Sequence, residues 1–174
     1  MPDADLFLEL AGIAGVFVGF GALIAIRSGA TLTVDEVAHM RAMVSMGVWA
    51  VVAALAPVTL GRYDLSGHLL WAVSSAVALL TGLLIFASLA RTAEYRANWG
   101  AQATMPRGRS LMAVEGFAYA LYMIVLVLTP IVVLLGVAPD LEAALYFTVV
   151  VLILLGAAWV LLSLVLSQRR PASA

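Results

Sequence analysis

The stretch LFLELAGIAGVFVGFGALIAI, Leu6 to Ile26, carries a single charged side chain, Glu9, in 21 residues. As a helix it reaches roughly 31 Å, the thickness of the hydrocarbon core of a bilayer. It is therefore read as a membrane span, and the rest of the chain is read outward from it. Met1-Pro2-Asp3-Ala4-Asp5 ahead of it is acidic where a secretory signal is positive, and the apolar run is too long for a signal core. The segment is expected to stay in the protein as an anchor.

Four further runs of the same kind follow. The second helix is expected over residues 34–60, behind the capping box Thr33-Val34-Asp35-Glu36, with Pro57 in its last turn. The third is expected over 67–98, capped by Asp64 or Ser66, apolar from Leu69 to Ala90 and continuing through Arg91 and Arg96 towards Gly100. A loop at about 99–110 holds Pro106 and Gly108. The fourth helix, 111–136, has Ser110 as its cap, Gly136 at its end and a kink at Pro130, whose freed carbonyl Thr129 or a neighbouring helix would satisfy. The fifth, 141–168, has Asp140 as its cap and Arg169 and Arg170 behind it. The fold class is all-α, a polytopic transmembrane bundle of five helices forming one domain over residues 1–174. There is no internal repeat, and an odd number of spans argues against a simple inverted-repeat transporter.

Composition agrees. The 174 residues are 64% hydrophobic and 11% charged, against about a quarter charged in soluble domains. The net charge of −1 gives no field to attract nucleic acid. Cysteine is absent, which removes disulfides, thiolate metal sites and a cysteine nucleophile. All nine basic residues are arginine, as codon bias in a GC-rich genome would produce, so no lysine is present to form a Schiff base.

The arginines also set the expected orientation. Five spans place Arg27, Arg41, Arg91, Arg96, Arg107, Arg109, Arg169 and Arg170 on one face and Arg62 alone on the other. By the positive-inside bias the first face is cytoplasmic, with the N-terminus outside and the C-terminus inside. An even number of spans would scatter the arginines over both faces. The expected location is the cytoplasmic membrane of a bacterium. Tyr63, Trp71 and Tyr146 are expected in the outer interfacial belt, Tyr95 and Trp99 in the inner one.

Intramembrane polar residues are functional candidates by default. Glu9, one turn into the first span, reads as a ligand at a pore mouth or, more simply, as an acid reaching interfacial water or Arg62. Arg41 and Glu115 lie at similar depth in helices two and four and are expected to pair. Glu115, Tyr119 and Tyr122 share one helix face and form a candidate polar path; the plainer account is tyrosine packing with the hydroxyls bonded to a neighbouring helix. His39 and His68 each follow an aspartate by four residues, Asp35 and Asp64. Each pair is two ligands short of a tetrahedral metal site, so helix-end electrostatics is the preferred account and no metal or cofactor is expected. Met40, Met43 and Met46 offer soft thioethers, but Arg41 lies among them, so packing is preferred there too.

Ala11, Gly15 and Gly19 form a small-residue stripe at i, i+4, i+8, the pattern that lets two membrane helices approach closely. A candidate helix-packing interface follows, either within the chain or between subunits. There is no phosphate loop, zinc-binding helix motif or serine–histidine arrangement at a shared depth, so an enzyme is not expected. The expected roles are a homo-oligomeric channel or permeation protein or, alternatively, a non-catalytic structural or assembly subunit of a larger membrane complex. In both the partners are the lipid bilayer and other membrane-embedded chains.

Overall fold

The structure, a computed structural model, describes residues 4–28, 34–92 and 109–167. These form α1 (Ala4–Ser28), α2 (Val34–Gly61), α3 (Gly67–Arg91), α4 (Arg109–Leu134) and α5 (Glu142–Ser167), with one turn of 3-10 helix at Pro139–Leu141. Among the described residues there are no strands. All five helices are long and apolar enough to cross a membrane. In hydrocarbon the backbone must satisfy its own hydrogen bonds, and a helix does this within one segment. The chain is a five-helix transmembrane bundle.

The helix ends are built locally, and some differ from expectation. Asp64 does not cap α3. It takes a left-handed conformation (φ 62°) that closes α2, with the Leu65 N–H bonded back to the Leu60 carbonyl at 3.4 Å. Aspartate tolerates this conformation better than most residues. Ser66 occupies the cap position of α3 without a side-chain bond. α3 ends at Arg91, before the expected extension, because Thr92 is extended (φ −76°, ψ 140°) and its N–H and hydroxyl both donate to the Leu89 carbonyl. α4 begins at Arg109, so Ser110 lies inside its first turn. It ends at Leu134, two residues before the expected bound, and Gly136 beyond it takes a left-handed conformation (φ 64°), with the Val137 N–H bonded to the Val132 carbonyl and the Gly136 N–H to that of Val133. Asp140 lies in the 3-10 turn and α5 starts at Glu142, so Asp140 is not its cap. α2 begins at Val34, where the capping box places it; Thr33 lies outside the described residues. So do Tyr95, Trp99 and the loop at 99–108.

The helices make a ring in chain order. α2 packs against α1 and α3, α4 against α3 and α5, and α5 closes the ring on α1. α2 and α5 also touch directly across the middle. α1 and α4 are the peripheral helices. The two short turns, α2–α3 and α4–α5, lie at one end of the bundle, here the hairpin end. The other, where α1 and α3 finish and α2 and α4 begin, is the arginine end.

Close approach of α1 and α2 depends on Gly21 and Gly47. A Cβ at Gly47 would lie 2.9 Å from Val18 Cγ2 and 3.3 Å from the Ala14 carbonyl; one at Gly21 would overlap Val44. The methionine run is split between two contacts, Met43 lying against Gly21 and Met46 against Gly156 on α5. Both are buried, the gap-filling use of an unbranched thioether. The bundle's outside is apolar, with Leu83, Leu84, Phe117 and Trp159 among its exposed side chains. That surface is suited to lipid.

Candidate functional site

The most polar part of the interior lies at the hairpin end. Glu142, in the first turn of α5, is 3% exposed and is the one buried carboxylate among the described residues. His68, in the first turn of α3, places Nδ1 2.5 Å from its Oε1. With the carboxylate ionised, Nδ1 carries the proton and donates. The His68 side chain is 49% exposed, so the pair links a buried acid to the surface. The imidazole lies over Gly136, where a Cβ would sit 3.0 Å from Cε1. One contact therefore joins the start of α3 to the α4–α5 turn. His68 thus pairs with Glu142, not with Asp64 as its i−4 spacing suggested. Among the described residues no three His, Asp or Glu side chains gather as a metal site.

One turn deeper along α5, Tyr146 is fully buried. Its ring packs against Trp71 at 5.7 Å and Phe7 at 6.0 Å between centroids. This corrects the interfacial placement of Tyr146; Tyr63, 74% exposed, does sit at the surface. The Tyr146 hydroxyl donates to the Ala53 carbonyl at 2.7 Å, with the Ser74 carbonyl at 3.4 Å. Ala53 is four residues before Pro57, so it is the carbonyl that the missing proline N–H leaves without a helix partner. Tyr146 supplies that partner from across the bundle. Beside it on α3, the Ser74 hydroxyl donates to the Leu70 carbonyl of the same helix, while the buried Ser75 hydroxyl has no partner among the described residues.

Two more aromatic donors follow the same logic at glycines. The indole N–H of Trp49 donates to the Ala78 carbonyl at 2.8 Å, and Ala78 is four residues before Gly82. The Tyr122 hydroxyl donates to the Leu152 carbonyl at 3.0 Å, four residues before Gly156. A helical Cβ leans towards the N-terminus and shields the carbonyl one turn back. Where glycine removes the Cβ, that carbonyl can accept a second bond. A Cβ at Gly156 would overlap the Tyr122 hydroxyl and lie 2.6 Å from Met46 Cε. Tyr122 is thus bonded to a neighbouring helix, the plainer of its two readings. Pro130 is treated differently, because the Thr129 hydroxyl bonds Val125 and not the freed Leu126 carbonyl.

The other sequence candidates do not converge. Glu9 is exposed on α1, and among the described residues no ion pair joins it to Arg62. Tyr119 is 48% exposed on α4, at the opposite end of the bundle from Glu9. The side chain of Glu115 lies outside the described residues, and with it the expected pairing with Arg41. Gly15 and Gly19 face outward, where a Cβ at either would meet nothing within 4 Å, and Ala11 is half-buried beside them. Among the described residues Gly15 and Gly19 therefore touch no other helix, while Ala11 packs partly on the core, and Gly21 and Gly47 make the close contact between α1 and α2.

The residue that the sequence reading passed over is Glu142. The signal was a second acid in the first turn of an apolar helix, on the same i,i+4 face as Tyr146. The pair is expected to act as a clamp. His68→Ala should lower resistance to unfolding by about 1 kcal/mol, a charge-assisted bond discounted for exposure, and Glu142→Gln should lower it less. Unfolding titrations in mixed micelles check this. Comparison with protein-family models, with curated proteins and with solved structures finds no match to this chain.

Proposed function

We propose that the protein is a non-catalytic packing subunit of a membrane assembly and that it associates with further copies of itself through the outward face of α1. One observation carries this reading. Gly12, Gly15 and Gly19 leave a strip of bare backbone on the outer surface of α1, between exposed side chains such as Val16 and Phe20, and among the described residues nothing lies within 4 Å of where their Cβ atoms would be. Small residues on a lipid-facing surface forgo lipid contact, whereas against a second helix they allow backbone approach and van der Waals contact. The closed interior supports a structural role, since α2 and α5 meet across the middle. The assembly would lie in the cytoplasmic membrane of a bacterium with the hairpin end outside, as the arginine distribution favours.

Permeation between subunits is the second reading, and Glu9 favours it. Its carboxylate is exposed three residues before Gly12, at the hairpin end of the same surface. Below it that surface offers Val16 and Leu23 but no further polar side chain among those described. Gly15→Leu should shift the particle to a smaller species by native mass spectrometry in mild detergent. An unchanged mass would sink the α1 interface. Liposome flux that falls on Glu9→Gln would move the balance to permeation.

A further inference from the structure

Two outward faces of the bundle correspond in depth and differ in charge. On α1, Asp5, Gly12 and Gly19 follow one another at two-turn spacing and so share a face, with Glu9 beside it; both carboxylates are exposed at the hairpin end. On α3, Leu80, Leu83 and Leu84 form an exposed ridge. Both helices start at the hairpin end, and the rings of Phe7 and Trp71 meet at 6.1 Å between centroids. That contact aligns α1 and α3 in level, with Leu80 at the depth of Val16 and Leu84 at that of Phe20. The turn at the head of α3 carries Arg62, an exposed arginine.

We infer that copies of the chain join head to tail, the glycine strip of α1 in one copy seated on the leucine ridge of α3 in the next, with Arg62 of that next copy on Asp5 and Glu9. This docking rests on the α1 self-association proposed above and names the surface that completes it. Depth and charge select the occupant. Copies inserted with one orientation hold α1 and α3 parallel and at one level, so protruding leucines meet the strip of bare backbone. Two α1 helices packed on each other would instead bring Asp5 and Glu9 of both copies together, like charges at one depth. The outward face of α5 also presents large side chains, Leu155 and Trp159, but the turn at its head carries Asp140, which is exposed and would repel the same carboxylates. Asp64 shares the turn with Arg62, so the attraction there sets partner and register and leaves affinity to packing.

The test is cysteine cross-linking in liposomes, which the absence of native cysteine makes specific. Full chains carrying Val16→Cys or Leu80→Cys are purified separately with different affinity tags, reconstituted together and oxidised. Both positions are exposed on the outside of the bundle, so neither change touches the core. Mixed-tag dimers should form, and Phe20→Cys with Leu84→Cys should repeat the result one turn deeper. Val16→Cys alone should link little. Arg62→Glu in the Leu80→Cys chain should lower the mixed-tag yield about two- to fivefold, the weight of one exposed ion pair. An unchanged yield there overturns the pairing with Arg62. Linking of Val16→Cys alone as strong as in the mixture means α1 against α1; it overturns the docking and leaves the α1 interface standing. Absence of linking at both pairs, in a protein whose mass still falls on Gly15→Leu, does the same. Absence of linking in a chain that native mass spectrometry finds monomeric sinks the α1 interface as well.

Discussion

Gly82→Ala is expected to destabilise the bundle by about 2–4 kcal/mol, from overpacking plus one weakened hydrogen bond. The added methyl would overlap the indole of Trp49 and lie 2.8 Å from Cε2 and 2.9 Å from Cη2. The ring cannot move aside cheaply. Trp49 is 4% exposed, its N–H is held by the Ala78 carbonyl, and Phe86 meets it edge-on at 5.8 Å. Any retreat by the indole stretches the bond that joins α2 to α3. The control is the same change at Gly12, where a Cβ meets nothing within 4 Å. In mixed micelles that hold the chain as a monomer, so that no second copy covers α1, alanine there should be neutral, or stabilising by up to about 1 kcal/mol, through helix propensity alone. Reversible unfolding in mixed micelles, followed by tryptophan fluorescence, gives both values. If Gly82→Ala proved as benign as Gly12→Ala, the indole would not lie where the structure places it.

Tyr146→Phe is expected to cost about 1–2 kcal/mol, towards the upper end for one buried hydrogen bond in a membrane bundle. The reason is specific: the hydroxyl serves the Ala53 carbonyl that Pro57 leaves unsatisfied. Pro57→Ala restores an N–H that can bond the same carbonyl within α2. In that background the loss of the tyrosine hydroxyl should cost less than about 0.5 kcal/mol. The double-mutant cycle therefore has a predicted sign, with the pair of changes milder than their sum. Additive costs would mean that the Tyr146 hydroxyl has no special relation to the proline.

Much of the fold was legible along the chain. The five helices follow from uninterrupted apolar runs of spanning length, and the turn at Gly136 from a residue that accepts positive φ. The end of α2 was harder. Asp64 has the local spacing to act with His68, and helix-end electrostatics is the account the sequence favours for both. In the bundle Asp64 takes the left-handed position that closes α2, and His68 reaches Glu142, 74 positions away. No periodicity along one helix reports a partner on another. Tyr146 was misplaced for a related reason. A tyrosine near a membrane boundary usually holds its hydroxyl in interfacial water, and only the proximity of α5 to Pro57 on α2 provides a buried alternative.

The division is sharpest among the glycines. Gly12, Gly15 and Gly19 make the more regular pattern and lie outside, while the less conspicuous Gly21, Gly47, Gly82 and Gly156 carry the contacts inside. In a soluble helix, water marks the outer face with polar residues, and the inner face can be read from their absence. Here the solvent is hydrocarbon, as apolar as the packed interior, so both faces have the same composition. Length and hydropathy along the chain were therefore enough to establish five membrane-spanning helices. Which side of each helix meets a neighbour depends on backbone distance and on single donors such as Trp49, Tyr122 and Tyr146, and these come into register only once the bundle is assembled.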